Sequence, residues 1–152
     1  KTSIAGHGCD FDFRRGTRAQ PTGAKSMKIH NPAASPPPNG PYSLGVEIPA
    51  GQRVLFIAGQ IPVAKDGTTP QGIKAQTEQV WRNIINVLES AGMGVENLVK
   101  INTYLTKQEN IAGYSEVRAK ILGAARPVST TVVVQSLVKS EWLVEVEAFA
   151  AK

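Results

Sequence analysis

Two glutamates near the end of the sequence are the first candidates for chemistry. Glu145 and Glu147 lie two apart in the run LVEVEA, alternating with Val144, Val146 and Ala148. In a strand, this spacing points both carboxylates to one face and the apolar side chains to the other. A carboxylate partly shielded from water by valines can act as a base toward a water molecule. The same spacing also fits an ordinary solvated face of an antiparallel sheet, so spacing alone leaves both interpretations open.

Polar side chains at the starts of two predicted strands are the next candidates. Tyr42 follows a Gly-Pro turn, where a phenol can project into a cleft, although packing of an aromatic ring in the core also explains it. Ser129, Thr130 and Thr131 open a later strand. Their hydroxyls can hydrogen-bond a ligand, or these residues can serve only as β-formers.

Signals for metal, cofactor or thiol chemistry are missing from the sequence. The one cysteine, Cys9, and the two histidines, His7 and His30, all precede the first predicted strand, so no Cys–His pair has metal-ligand spacing. The Gly-Met-Gly segment at 92–94 follows a predicted helix instead of opening one, which argues against a dinucleotide site. We therefore expect neither a metal nor a cofactor.

The net charge of +5 is unevenly distributed. Residues 1–26 contain five Lys or Arg and two Asp or Glu, so they contribute +3 and leave +2 for residues 27–152. A nearly neutral body with a basic tail is not a basic groove, and we expect no nucleic-acid partner. With one cysteine, no disulfide can form within the chain, and no apolar run approaches the ~20 residues of a membrane helix. These features predict a cytoplasmic protein without a membrane segment.

The elements that must position the candidates follow from periodicity. Residues 1–26 have neither helical nor strand periodicity and are interpreted as a disordered extension or an expression remnant, and residues 27–152 as a single domain. Helices are predicted over 72–91 and 110–122, with Trp81 and Asn83 beside the apolar face of the first. Strands are predicted over 42–48, 53–59, 98–105, 128–134 and 143–146, and residues 60–63 extend the second strand or begin another.

These elements give the order β-β-(β)-α-β-α-β-β. It predicts an α+β fold with two helices packed on one face of a mixed sheet. The four-residue turn at 49–52 predicts that strands 42–48 and 53–59 form a hairpin. The polar connection at 136–141 predicts a second hairpin, formed by strands 128–134 and 143–146.

Several segments together resemble one known family, the RidA/YjgF group of enamine and imine deaminases. The similar segments are Asn-Pro-Ala-Ala at 31–34, Gly-Pro-Tyr-Ser at 40–43, Ala-Gly-Gln-Ile-Pro at 58–62, the helix at 76–92 and Leu-Val-Glu-Val-Glu-Ala at 143–148. The resemblance covers nearly all of residues 27–152. It implies a chorismate-mutase-like fold and a homotrimer with clefts between neighbouring subunits.

The resemblance also implies a reaction and a set of site residues. Substrates in this family are small imino or enamine acids, which water converts to oxo acids with release of ammonia. By position, Glu145 is expected to activate the water, Tyr42 and Tyr104 to line the cleft, and the Gly59 backbone and Thr131 to hydrogen-bond the substrate.

One position departs from the family pattern. Active deaminases of the family carry an arginine for the substrate carboxylate in the segment that reads Pro-Val-Ser-Thr-Thr at 127–131 here, where it is replaced by Ser129. One hydroxyl cannot supply the charge and the paired hydrogen bonds of a guanidinium. Arg126 can take over only if the chain bends it back.

Two functions from different classes remain open at this point. The first is a RidA-like hydrolytic deaminase that uses Glu145, on a substrate other than a simple 2-imino acid. The second is a non-catalytic trimeric protein that binds a small molecule and has a regulatory role. Both assign the cleft to a small-molecule ligand.

Overall fold

A computed structural model describes residues 26–152 of the chain. The elements in chain order are β1 (Lys28–His30), β2 (Gly45–Glu47), β3 (Val54–Gln60), α1 (Ile73–Ser90), a 3-10 turn (Val95–Asn97), β4 (Leu98–Leu105), α2 (Asn110–Leu122), β5 (Val128–Val133) and β6 (Val144–Ala151). Both predicted helices and the predicted strand 98–105 are confirmed. The interpretation of residues 1–26 falls almost wholly outside the described residues.

Four strands form the main sheet, in the spatial order β3-β6-β4-β5. β6 runs antiparallel to both of its neighbours, whereas β4 and β5 are parallel and are connected by α2. A parallel pair needs such a crossover, and the crossover helix runs antiparallel to the two strands that it joins. The sheet is therefore mixed, with the two helices packed on it, and the predicted α+β fold is confirmed.

The core lies between the helices and one face of the sheet. Residues on β4 and β6 alternate between buried and half-buried, so each strand has one closed and one partly open face. Fully buried side chains from both layers meet there: Val80, Trp81, Ile84, Leu88, Ile101, Leu105, Val144 and Val146. Trp81 was predicted beside the apolar face of α1 and lies at its centre, because α1 packs against α2 as well as the sheet.

The C-terminal end of α1 is held by the ends of two strands. Gly92 has φ 68°, its N–H donates to Glu89 O, and the Met93 N–H donates to Leu88 O. These two hydrogen bonds form a Schellman cap. Arg53 and Lys152 donate to the nearby carbonyls of Ala91 (3.2 Å) and Gly92 (2.6 Å). Cations at this end of a helix also face the negative end of its dipole.

Gln76, near the start of α1, anchors the chain just before β6. Its buried side chain donates to Pro70 O (3.1 Å) and Glu141 O (2.8 Å) and accepts from the Leu143 N–H (2.7 Å). These bonds fix the entry to β6 two residues before Glu145. The direction in which that carboxylate points is set from the helix layer.

The first predicted hairpin is wrong. The strand predicted over 42–48 is reduced to β2, which pairs with β1, a strand that the sequence analysis did not predict and that contains His30. β3 instead pairs antiparallel with β6. A short turn permits a hairpin, but here β6 offers β3 a longer apolar partner.

The second predicted hairpin is also wrong. β5 and β6 do not pair with each other, because β4 lies between them and pairs with both. β6 also extends well beyond the predicted 143–146. The crossover through α2 sets β5 parallel to β4, and this leaves β6 free to occupy the centre of the sheet.

Of residues 60–63, predicted to extend the strand or to begin another, only Gln60 extends it, and residues 61–63 form no strand. β3 ends at Gln60, and no further strand is present between it and α1. Asn83, predicted beside the apolar face of α1, instead donates to the carbonyls of Ile61 (3.0 Å) and Val63 (3.1 Å). Within residues 26–152, no helix has the length and apolar character needed to span a membrane.

Candidate functional site

Carboxylates, an amide and a phenol meet on the outer face of the sheet, opposite the helices. In the antiparallel register of β4 and β6, Tyr104 lies opposite Glu145 and Asn102 opposite Glu147. All four are half-buried, whereas Val144 and Val146 on the other face are fully buried. The predicted division of β6 into a carboxylate face and an apolar face is confirmed.

Glu147 is held in place by two donors. Its Oε1 accepts from the Asn102 amide (2.8 Å) and from the Tyr104 hydroxyl (3.1 Å). Burial raises the pKa of Tyr104, and the hydrogen bond to Glu147 raises it further. The phenol therefore stays protonated and serves as a donor. Glu147 is a fixed acceptor whose position and charge are defined by β4.

Glu145 differs from its neighbour in having no hydrogen-bond partner among residues 26–152. Burial raises the pKa of this carboxyl, and the negative charge of Glu147 raises it further. A half-buried carboxylate with free lone pairs and a raised pKa is suited to take a proton from water. Such perturbed groups are frequent at functional sites, though structural networks also produce them.

Gly59 on β3 closes one side of the space around Glu145. A β-bulge between Ile57 and Gln60 shifts the register of β3 against β6 at this point. A Cβ placed on Gly59 would overlap the Glu145 carboxylate, so only glycine leaves the carboxylate where it is. The structure thus brings together three of the six predicted site residues: Gly59, Tyr104 and Glu145.

Ser129 and Thr131 lie on the other face of the sheet. They are in register with Ile101 and Thr103 of β4, and the Thr103 hydroxyl hydrogen-bonds the Tyr114 hydroxyl of α2 on the helix side. Within one chain, Ser129 and Thr131 therefore do not share a surface with Glu145.

Tyr42, the remaining predicted site residue, belongs to the surroundings of Ser129. Tyr42 is half-buried, and its hydroxyl donates a hydrogen bond to Asn39 Oδ1 (3.1 Å). The next residue, Ser43, forms a bridge with Val128 at the start of β5. The Nη1 of Arg126 donates to the carbonyls of Gly123 (2.7 Å) and Ala125 (2.9 Å), in the segment just before it.

The outer face also contains polar residues that the sequence analysis did not select. Asn102 holds Glu147, and Lys100 donates to Thr130 across β4 and β5 (2.6 Å). The alternation of Lys100, Asn102 and Tyr104 along a single strand was a readable signal. Its weight depended on knowing that β4 is the neighbour of β6.

A large groove of the described chain is not centred on these residues. A cavity of about 930 Å³ lies between residues 60–66 and α1, and it includes Gln60 but not Glu145. The volume of the groove therefore favours the region between residues 60–66 and α1, whereas the chemistry of the side chains favours the surroundings of Glu145. We favour the surroundings of Glu145 as the reactive site because they combine a half-buried carboxylate without a partner among residues 26–152, fixed donors and a close glycine.

No part of the described chain gathers ligands for a metal ion. Among residues 26–152, no group of three or more His, Cys, Asp or Glu side chains lies close enough to hold one. His30 hydrogen-bonds Glu47 in the small sheet (2.9 Å), far along the chain from Glu145.

Comparison with known proteins identifies the family. A family model described as endoribonuclease L-PSP matches residues 32–152. The chain belongs to this YjgF/RidA family. A RutC family protein of Pyrococcus horikoshii is 42% identical over 120 residues, which cover 78% of this chain and 92% of that protein. A mitochondrial yeast protein, MMF1, is 32% identical over 104 residues, covering 68% of this chain and 70% of its own length.

Solved structures of YjgF/RidA proteins have the same fold. A Rid family protein of unknown function from Yersinia pestis superimposes with a TM-score of 0.75 at 31% identity, covering 84% of this chain and all of its own. RidA from an Antarctic Psychrobacter superimposes with a TM-score of 0.63 at 31% identity, covering 78% and 94%. The resemblance inferred from short segments of the sequence is confirmed over most of the chain.

Proposed function

We propose that this YjgF/RidA protein is a hydrolytic deaminase of a small enamine or imine, with Glu145 as the residue that activates water. The observation that carries the proposal is the contrast between two carboxylates on one strand. Glu147 accepts hydrogen bonds from two donors, whereas Glu145 has no hydrogen-bond partner among the described residues and a raised pKa.

The reaction follows from ordinary imine chemistry. Glu145 accepts a proton from water as the water oxygen bonds to the imine carbon, and it passes this proton to the nitrogen, which gives a neutral carbinolamine. Glu145 then takes the hydroxyl proton of the carbinolamine and gives it to the nitrogen, so that the C–N bond breaks, a carbonyl forms and ammonia leaves. The raised pKa of Glu145 suits this carboxyl to both the uptake and the return of a proton.

We also propose that the protein assembles as a homotrimer with the site at a subunit interface. The outer face of the sheet supports this, since no helix covers it and it includes apolar side chains. Phe56 is 72% exposed and packs edge-on against Phe149, with ring centroids 5.2 Å apart. Exposed aromatic clusters of this kind are typical of protein interfaces. Sedimentation of a monomer would contradict the shared site.

The family model is described as an endoribonuclease, but cleavage of RNA is a less favoured activity for this chain. Residues 27–152 have a net charge of only +2, as counted from the sequence. Nucleic-acid affinity depends mainly on phosphate contacts with clustered Lys and Arg. The outer face has carboxylates at its centre, and these would repel a phosphate backbone.

A non-catalytic small-molecule-binding protein is the second candidate. The specific observation in its favour is Ser129, since the family pattern places the carboxylate-binding arginine there. A cleft without that charge can keep its shape and lose its turnover. Tight binding of a small molecule with no ammonia release would favour this candidate.

The decisive experiment measures ammonia release from enzyme-generated 2-aminoacrylate and from 2-aminomuconate. We expect activity of the wild type on at least one of them. Glu145→Gln should reduce it by about 10²- to 10⁴-fold, the range for loss of a general base. Glu89→Gln, the same change at an exposed position of α1, is the matched control. Full activity of Glu145→Gln would contradict the assigned role.

A further inference from the structure

The pair Asn39-Gly40 lies in the loop between β1 and β2. Both residues are exposed, and neither belongs to a helix or a strand. An asparagine that precedes a glycine can modify itself, because the nitrogen of the next residue can attack the side-chain amide, and glycine has no side chain to hinder this approach. This is the one Asn-Gly pair of the full sequence.

The Gly40 nitrogen is free to act as the nucleophile. Within residues 26–152, nothing accepts a hydrogen bond from its N–H. The fold does not require a glycine at this position either, since its φ lies outside the left-handed region. A Cβ placed on Gly40 would meet only the ring of Tyr42, at an ordinary 3.7 Å. The glycine is therefore accessible to chemistry without serving the backbone.

Tyr42 contacts the group that would be attacked. Its N–H donates to Gly40 O (2.9 Å), which closes a three-residue turn about Pro41 and brings the phenol ring back beside Gly40. The hydroxyl then donates to Asn39 Oδ1 (3.1 Å). When a nucleophile bonds to the amide carbon, negative charge develops on this same oxygen. A donor already directed at the developing charge lowers the barrier to that step.

The chain just after this turn is anchored to the main sheet. Ser43 is buried and forms a bridge with Val128 at the start of β5. Its N–H donates to Pro127 O (3.2 Å), and its hydroxyl donates to Arg126 O (2.6 Å). These bonds fix the residue that follows Tyr42, so the phenol is held beside the Asn-Gly pair by the folded chain.

A similar pair, Asp66-Gly67, lacks both reactive features. Asp66 Oδ1 accepts from the hydroxyl (2.7 Å) and the N–H (3.0 Å) of Thr68, and these hydrogen bonds lower the pKa of the carboxyl. The carboxyl therefore stays ionised, and a carboxylate is a poor target for a nucleophile. The Gly67 N–H donates to Ala64 O (2.9 Å), so the adjacent nitrogen is already engaged.

We propose that Asn39 deamidates itself in the folded protein, with the Gly40 nitrogen as the nucleophile and the Tyr42 hydroxyl as the catalytic donor. The Gly40 nitrogen loses its proton to solvent and bonds to Asn39 Cγ, while the amide nitrogen takes up a proton and leaves as ammonia. Water then opens the resulting cyclic imide at either of its two carbonyls. One opening gives aspartate, and the other gives isoaspartate, in which the main chain runs through Cβ and Cγ.

The modification changes the loop that carries Tyr42. Each product has one more negative charge than asparagine, which lowers the net charge of residues 27–152 from +2 to +1. Isoaspartate also adds one atom to the main chain just before a turn whose far end is anchored at β5, so Tyr42 is displaced. Loss of turnover through this displacement rests on the proposed function, in which Tyr42 lines the cleft. The modification itself does not rest on it.

Peptide mapping of the full chain tests the modification. After incubation of the folded protein at mildly alkaline pH, trypsin releases residues 29–53 as one peptide. We expect a mass gain of one dalton at Asn39, with isoaspartate detected by enzymatic methylation. Asn31 in the same peptide is the internal control, because Pro32 has no N–H with which to attack. The peptide 66–74 should contain no isoaspartate. An unchanged Asn39, during an incubation that converts the chain unfolded in urea, would overturn the proposal.

Tyr42→Phe separates the role of the phenol from that of the Asn-Gly pair. Loss of the hydroxyl should slow deamidation of the folded protein by about 2- to 10-fold, the contribution of one hydrogen bond. The same substitution should have no effect on the chain unfolded in urea, because the turn that holds the phenol is then lost. Equal rates for the folded wild type and folded Tyr42→Phe would overturn the catalytic role of the hydroxyl.

Gly40→Ala tests the nucleophile and provides a second variant if Tyr42→Phe does not fold. The methyl group fits the structure and hinders the approach of the nitrogen to the amide. The variant should keep Asn39 intact while half of the wild type is converted. Gly45→Ala, where the added Cβ meets His30 at 3.4 Å, is the matched control and should be converted at the wild-type rate. Conversion of Gly40→Ala at that rate would overturn the assignment.

The modification and the proposed function fail in distinguishable ways. Deamidation releases one ammonia per chain without any substrate, whereas turnover needs substrate and continues. If fresh wild type has no turnover but gains mass at Asn39, the function is wrong and the modification stands. If fresh wild type is active and Asn39 stays intact, the reverse holds. Ammonia release by the wild type should fall as isoaspartate accumulates, and full activity of a converted sample would overturn the effect on the cleft.

Discussion

The two faces of the main sheet are built from the same strands and have opposite chemistry. On the helix side, Val144, Val146 and Ile101 are fully buried, and the hydroxyls of Thr103 and Tyr114 hydrogen-bond each other. On the outer side, Glu145 alternates with those valines and has no hydrogen-bond partner among the described residues. The closed face stabilises the fold through apolar packing, whereas the open face leaves the Glu145 carboxylate without a hydrogen-bond partner among residues 26–152.

Among these variants, Ile101→Ala should cause the largest loss of stability while leaving activity nearly unchanged. Ile101 is fully buried on the helix side, so the substitution should lower the free energy of unfolding by about 2–5 kcal/mol. Urea unfolding measures this loss. Ammonia release per folded molecule should stay near the wild-type value. A loss below about 1 kcal/mol would mean that the closed face is not where stability resides.

Gly59→Ala, on the outer face, should have the opposite effect: activity should fall while stability stays nearly unchanged. The new methyl group overlaps the end of the flexible Glu145 side chain, which can rotate away at little cost in stability. Activity should fall by about 10²-fold, the effect of displacing a reacting group by an ångström. Gly45→Ala, where the added Cβ meets His30 at an ordinary 3.4 Å, is the control. Unfolding in urea should be nearly unchanged for both variants.

Thr103→Val tests the hydrogen bond between Thr103 and Tyr114 on the closed face. It leaves the Tyr114 hydroxyl buried without its partner, which should lower the free energy of unfolding by about 1–3 kcal/mol. The matched variant Tyr114→Phe removes the other hydroxyl, and the double variant should be less destabilised than the sum of the two single ones. Strict additivity would show that the two hydroxyls do not interact.

Glu147→Gln should have the smallest effect and the most specific one. The glutamine oxygen can still accept from Asn102 and Tyr104, but the negative charge that helps to raise the pKa of Glu145 is gone. The pKa of Glu145 should therefore fall toward its ordinary value, because only burial still raises it. The acidic limb of the pH–activity profile should move to lower pH. A shift to higher pH would contradict the assigned coupling.

The sequence was informative wherever a pattern is local. Period-two alternation predicted β4 and the carboxylate face of β6, and period 3.6 predicted both helices to within a residue or two. Pairing between strands was predicted incorrectly in both hairpins, because the partner of a strand depends on segments far away in the chain. The bulge that brings Gly59 against Glu145 has no local signature beyond the glycine itself.

Arg118 illustrates a second kind of limit. It lies four residues after Tyr114, so its place on the inner stripe of α2 could have been read from the spacing. An arginine on a helix is normally assigned to solvent, since charged residues are seldom buried without partners. Arg118 is buried instead. The loop at 41–43, which contacts both Arg118 and the start of β5, comes from a distant part of the sequence, so this contact has no local signature.

The central position of β6 also has a consequence for how the chain folds. β3 and β4 emerge from the ribosome well before β6, and neither pairs with the other in the finished sheet. Their common partner joins β3 across some ninety positions of sequence. Contacts between residues so far apart in the sequence are slow to form. Until β6 pairs with β3 and β4, one edge of each of these two strands is open to other chains. Folding of the main sheet should therefore be completed only after β6 has been synthesised, when the strand that carries Glu145 closes both edges in one step.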